Sequence, residues 1–197
     1  MGKVLIAAAV VVTVAAVVGG ARVWAASQDV ETPDYTVEVA QGNFELRQYP
    51  ALVAAQVARP GGRGAAVRQA FSPLAGYIFA KSRPGEKIAM TAPVTQEQSD
   101  RGWVVSFIMP EGRTVADLPA PAGDVTLVDI PPRRMAAVKF SGRWTDARFD
   151  SHARALTEWV AARGLTPLGE VEFAYYNDPF TPAFLRRNEV MVEVAPQ

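Results

Sequence analysis

At 197 residues the chain is long enough for one sizeable core and short for two. Its 49% hydrophobic and 20% charged content marks a globular protein. Zero formal net charge, with no basic run interleaved with aromatics, argues against a nucleic-acid partner, and the lack of cysteine excludes disulfides, thiol nucleophiles and cysteine-based zinc sites.

Lys3 precedes an uncharged run from Val4 to Ala21 that closes at Arg22. Val23-Trp24-Ala25 supplies apolar or small residues before a cut after Ala25, as secretory signals do. Uncut, the same run could just span a bilayer, with Lys3 holding the N-terminus inside. Residues 1–25 are thus a signal peptide or a membrane anchor, 26–33 a polar linker, and 34–197 the folded domain. Both readings place that domain outside the cytoplasm, periplasmic or attached to the membrane through residues 4–21.

Tyr35 to Val39 and Phe44 to Tyr49 alternate in polarity around Gln41-Gly42-Asn43, the pattern of a hairpin with one buried face. Pro50 opens a third strand, Ala51 to Ala58, and residues 59–64 form a glycine-rich loop without the lysine of a phosphate-binding loop. Val67, Ala70, Phe71, Leu74, Tyr77 and Ile78 then recur at helical spacing. Pro73 predicts a kink, or a restart capped by Ser72. Ser82-Arg83-Pro84-Gly85 ends the helix, Lys87 to Val94 reads as an edge strand, and Thr95 to Gly102 as a polar turn. Trp103 to Met109 is a strand, and residues 118–123 a proline-bearing connector.

The second half repeats this plan. Val125 to Ile130 and Met135 to Ser141 are strands flanking Pro131-Pro132, and a helix runs from Asp146 toward Gly164. Its residues Phe149, Ala153, Leu156 and Val160, with His152 and Trp159 on the flank, stand 82 positions after Val67, Phe71, Leu74, Ile78, Ala70 and Tyr77. Pro132, Ala136 and Ala137 repeat Pro50, Ala54 and Ala55 at the same offset. Strands Val171 to Tyr176 and Glu189 to Val194 complete the copy. The expected fold is α+β: one antiparallel sheet curved toward a distorted barrel, two long helices on its surface, built by internal duplication.

Several strings are specific. Glu45-Leu46-Arg47-Gln48-Tyr49-Pro50, Lys87-Ile88-Ala89-Met90-Thr91-Ala92-Pro93-Val94, Tyr175-Tyr176-Asn177-Asp178-Pro179-Phe180 and Arg186-Arg187-Asn188-Glu189-Val190 resemble, in order, the SOUL haem-binding proteins. The resemblance spans about residues 34 to 195. It implies a duplicated barrel with two helices and non-covalent binding of haem or a related tetrapyrrole, without a shared reaction. The architecture is also similar to GyrI-like effector domains, which bind amphipathic small molecules. Lys87, Met90, Thr91, Pro93, Arg186, Arg187, Asn188 and Glu189 carry the family motif and are read as mainly structural.

His152 is the only histidine, so a bis-histidine haem site or histidine-cluster zinc site within the chain is impossible, and no metal site is expected. It reads as a boundary residue, and the methionines, Met90 included, as gap-filling core residues. A macrocycle needs apolar walls and cations for its propionates. Phe71, Leu74, Tyr77 and Ile78 with Arg63 and Arg68 are the candidate wall, unless that face simply packs on the sheet. Arg186 and Arg187 could bind a carboxylate or pair with Glu189. No catalytic set is evident: Ser151 and Thr157 beside His152 lack an oriented acid, and Glu170/Glu172 read as solvated strand neighbours. The chain is therefore expected to be a binding protein rather than an enzyme. The alternatives are a module for another amphipathic ligand or a peptide, or a hydrolase of amphipathic small molecules.

Overall fold

A computed structural model describes residues 30–196; the segment read as signal peptide or anchor lies outside them, as do residues 26–29 of the linker. Residues from Glu31 onward form one compact unit. In chain order it contains β1 (Thr36–Gln41), β2 (Phe44–Tyr49), β3 (Leu52–Arg59), α1 (Arg63–Ile78), β4 (Val94–Ser99) and β5 (Gly102–Ile108). The second half holds β6 (Thr126–Ile130), β7 (Arg133–Phe140), α2 (Asp146–Ala162), β8 (Glu172–Tyr175) and β9 (Asn188–Glu193). All nine strands join one antiparallel sheet in the order β1-β2-β7-β9-β8-β4-β5-β3-β6.

That order shows the duplication in space. Exchanging β2 with β6, β3 with β7, β4 with β8 and β5 with β9 reverses the list onto itself, leaving β1 as the added edge. The pseudo-two-fold axis therefore falls at the β4–β8 ladder, where Thr95 faces Ala174 and Gln96 faces Phe173. Leu74 and Leu156 are equivalent and both fully buried, but the 82-residue offset slips by one in the strands: Ala55 lies under α1 as Ala136 lies under α2, while Ala137 faces the helix-free side.

Each helix covers one half of one sheet face. Leu74, Tyr77 and Ile78 of α1 pack on Val53, Ala55, Val57, Val105 and Phe107. Phe149, Leu156, Trp159 and Val160 of α2 pack on Leu46, Ala136, Val138, Val190 and Val192. These sheet residues lie two apart along their strands, as the two-residue period of a pleat requires. α1 runs through Pro73 as one element and does not restart at Ser72. The helix N-termini are joined by Arg63, which donates from Nε and Nη2 to Asp146 and lies over the rings of Phe149 and Phe173.

One segment departs from its sequence reading. Residues 87–93 are extended but pair with no strand beyond a single bridge from Thr91 to Glu31, and Ala92–Pro93 is cis. The strand is instead the polar stretch Val94 to Ser99, expected to be a turn. Its polar side chains find partners. Gln96, fully buried, donates to the Arg63 carbonyl of α1, and its own amide oxygen accepts from the Tyr175 hydroxyl.

Candidate ligand-binding site

The sheet face away from the helices carries the alternate residues of the same strands. Tyr49, Met135, Ala137, Ala174 and Met191 form a small apolar cluster there, joined by Tyr35, Leu52 and Tyr176. Residues from β2, β4, β7, β8 and β9, together with Ile108 at the end of β5, all line one depression on this face, so the sheet curls around it. Its lining includes Tyr35, Tyr49, Tyr176, Ile108, Met191, Thr95, Arg133 and Glu172, with Pro33 and Pro93 at its border. Its enclosed space is about 20 Å³, room for a water molecule rather than a ligand and far below the ~300–1,000 Å³ usual for ligand pockets.

Two charged side chains reach into it. Arg133 donates from Nη1 to Glu172 Oε2 at 3.0 Å, and both residues are largely buried. Each keeps one buried polar atom without a partner, Nε on Arg133 and Oε1 on Glu172. Buried polar atoms are nearly always satisfied, so a free donor beside a free acceptor is a usual mark of a site that meets a ligand or water. Glu172 is thus not the solvated strand neighbour its spacing beside Glu170 suggested.

Beneath the aromatic wall lies a buried ion network. Arg47 and Glu189, each fully buried, form a two-pronged pair with N–O distances of 2.7 and 3.0 Å. Arg47 also donates to Tyr49 and Glu45, while Tyr176 and Arg187 donate to Glu189. Burial alone would lower the pKa of Arg47, but the Glu189 hydrogen bonds and charge more than offset it and raise it. Burial pushes Tyr49 up to about 12, and burial together with the Glu189 charge raises Tyr176 well above 10. Both phenols therefore stay protonated at neutral pH, as hydrogen-bond donors rather than anionic metal ligands.

Glu97 lies directly across the β4–β8 ladder from Glu172. Burial, and then the Glu172 charge, raise its pKa above 4.5. The folded state thus holds this proton more tightly than the unfolded chain, and stability is lost as pH rises through the folded pKa. Glu97→Gln is expected to raise the Tm at pH 7. Below the unfolded value of 4.5 both states of the wild type are protonated, and the advantage should vanish. Thermal melts at pH 4 and pH 7 check this.

The residues expected to form a wall on α1 separate into two groups. Leu74, Tyr77 and Ile78 are buried in the helix–sheet core, and the Tyr77 hydroxyl donates to the Pro119 carbonyl. Arg63 is committed to Asp146 and two phenyl rings. These four have no surface to offer, because the stripe that would hold a macrocycle is the stripe that anchors α1. Arg68 and Phe71 do remain exposed, with Phe71 edge-on to Phe107.

Of the motif residues, Thr91 donates to the Ile108 carbonyl and Pro93 borders the depression. Lys87 and Met90 are exposed, so Met90 is not core. Buried Asn188 accepts from Trp144 Nε1 at 2.7 Å and donates to the Gly142 carbonyl. Arg187 pairs with Glu189, whereas Arg186 donates to the Thr181 and Pro179 carbonyls. His152 stacks on Phe140 at the edge of α2, and burial lowers its pKa. Among the described residues no three acidic, histidine or cysteine side chains gather as a metal site.

Sequence reasoning missed Arg133, Glu172, Tyr35, Tyr49 and Tyr176 as one group. The available signal was alternation: a charged or tyrosine residue facing away from the helix at the same phase in several strands.

Fold and depression together define a duplicated α+β domain with a polar-floored aromatic cleft on its helix-free face. More specifically, the chain belongs to the SOUL heme-binding protein family, whose model matches residues 30–193. No curated protein matches the chain. Among solved structures it is similar to the EcmrR C-terminal domain, at 15% identity and a TM-score of 0.59, covering 83% of this chain and 99% of that one. It is similar also to an uncharacterized conserved protein from Listeria innocua, at 14% identity and 0.57, covering 80% and 94%. A protein described as a hydrolase from Listeria innocua gives 14% and 0.53 with the same coverage. At such identities the likeness shows the fold alone.

Proposed function

We propose that this chain is a non-covalent binding protein for haem or a related tetrapyrrole, and that the ligand enters the cleft on the helix-free face. Membership in the SOUL family supports the ligand class. The observation that carries the location is the paired orphan atoms, Arg133 Nε and Glu172 Oε1, in an aromatic depression.

The residues fit a planar amphipath held without a strong axial bond. Half-buried Tyr35 and Tyr176 supply flat apolar surface over the buried Tyr49 and Met191, and Arg133 supplies a cation for a carboxylate. The enclosed space is only water-sized, so the macrocycle would lie across the rim of the depression with a propionate directed toward Arg133. His152, the sole histidine, is on the opposite side of the sheet with α2. A bound haem would bring its own iron; the chain contributes enclosure, orientation and a propionate contact. Binding is favoured over catalysis because no serine, histidine or cysteine lines the cleft.

Hemin titration followed by the Soret band and tryptophan quenching tests this. Saturable binding at micromolar hemin is expected, unchanged in His152→Ala. Tyr35→Ala, at the rim, should weaken it about fivefold or more, since an aromatic wall contributes roughly 1–2 kcal/mol. Loss in Phe71→Ser or Arg68→Glu, with none in Tyr35→Ala, would move the ligand to the outer face of α1. No binding by the wild type would end the tetrapyrrole reading.

We further propose that the domain works outside the cytoplasm. The uncharged run Val4 to Ala21 and the small residues ending at Ala25 support this. N-terminal sequencing of soluble and membrane fractions tests it: a chain starting at Ala26 means cleavage, an intact start in membranes means an anchor, and an intact chain in the cytosol refutes export.

A further inference from the structure

The loop from residue 178 to 185 holds the two most exposed large apolar side chains of the described residues, Phe180 at 85% and Phe184 at 75%, with Leu185 at 46% beside them. Such side chains usually fold back unless the backbone forbids it, and here the backbone is tightly held. Asp178 Oδ1 accepts from the amides of Phe180 and Thr181 and from the Thr181 hydroxyl. Arg186 ties down the Pro179 and Thr181 carbonyls while its guanidinium lies 4.2 Å from the Trp144 ring centroid. The Gly142 amide donates to the Ala183 carbonyl at 2.8 Å. The loop is a stiff platform that points two phenyl groups into solvent.

Its rim is basic. The Gly142 contact brings exposed Arg143 and Arg148 beside the loop, with Arg148 lying across Gly142 so closely that a Cβ there would meet its Nε at 2.5 Å. The nearby carboxylates are committed elsewhere, Asp178 inside the loop and Asp146 to Arg63. Tyr35, near the point where the chain enters the fold, accepts from Arg187 just past the loop. It stands thirteen positions after Arg22, which closes the uncharged N-terminal run. That is a reach of at most ~45 Å.

We propose that this loop docks the domain on an anionic lipid surface, inserting Phe180, Phe184 and Leu185 among the acyl chains while Arg143 and Arg148 meet the headgroups. Exposed aromatics fixed next to exposed arginines suit an interface that is apolar inside and negative at its edge. A protein partner would need a shaped apolar socket with acidic margins; lipid needs no such complement. This interaction is independent of the cleft and of its ligand.

Vesicle sedimentation of the folded unit, residues 30–197, tests the assignment, because the N-terminal run cannot then supply the binding. Phosphatidylcholine vesicles containing phosphatidylglycerol should retain the wild type, and pure phosphatidylcholine should not. Emission of Phe184→Trp should shift to the blue with the anionic vesicles only. Phe180→Ser/Phe184→Ser should lower partitioning at least about tenfold, with circular dichroism and hemin titration unchanged. Absence of wild-type binding, equal binding to both vesicle types, or equal partitioning of the double variant would overturn it. So would a concentration-dependent dimer abolished by the double variant, which would make a second copy the occupant.

Discussion

Glu189→Ala is expected to be among the most damaging single changes in the molecule, costing about 3–5 kcal/mol in a urea melt, because it strands a fully buried guanidinium. Arg47 has no exposed surface through which to regain water, and Glu189 supplies both oxygens of its two-pronged pair. Tyr176 and Arg187 would lose their acceptor at the same time. The residual contacts of Arg47, to Glu45 and Tyr49, are too few to hold its charge in the interior. Replacing both partners removes the charge that is costly to bury. Arg47→Met/Glu189→Leu should therefore recover much of the loss and melt later than Glu189→Ala alone. A double variant as unstable as the single one would show that the pair contributes by shape rather than by charge.

That network was invisible in the sequence for a definite reason. Arg47 is on β2 and Glu189 on β9, the two strands that flank β7, so the pair meets across that strand. Arg133 and Glu172 likewise meet across β9 in the order β7-β9-β8. Such pairings follow from the order of strands in the sheet, a property no local window contains. By contrast the duplication was legible, since the two helices must bury matching stripes on matching strands. Residues as far apart as Ala55 and Ala136 keep their size because each lies under a helix.

β4 failed for the opposite reason. Thr95, Gln96, Glu97, Gln98 and Ser99 look like a turn by polarity, yet they sit at the centre of the sheet, next to the pseudo-two-fold axis. There Gln96 reaches the base of α1 on one face while Thr95 lines the cleft on the other. Binary patterning reads polarity as exposure. Where both faces of a strand are occupied by a polar contact and a cleft, the pattern inverts. The misreading thus coincides with the candidate site, which is where local and global preferences are expected to disagree.

The helical stripe of α1 was legible as a stripe but not as to what it faces, and Leu74→Asp resolves the two meanings. Were Leu74 a wall of a ligand groove, aspartate there would abolish binding and leave the fold intact. In the structure Leu74 is fully buried against β3 and β5. Truncating such a leucine alone costs roughly 2–5 kcal/mol, and the new carboxylate would also be buried with no cation among the residues of this cluster. The sum approaches the roughly 5–15 kcal/mol that a domain of this kind has in total. Leu74→Asp is therefore expected to be largely unfolded or insoluble at 25 °C, with the loss of cooperative melting visible by circular dichroism. Phe71→Asp, three residues earlier and on the exposed side, loses mainly an edge contact with Phe107 and should cost about 1 kcal/mol. If Leu74→Asp instead folded normally and lost only hemin, the ligand would have to lie between α1 and the sheet, and the helix-free cleft would be the wrong site.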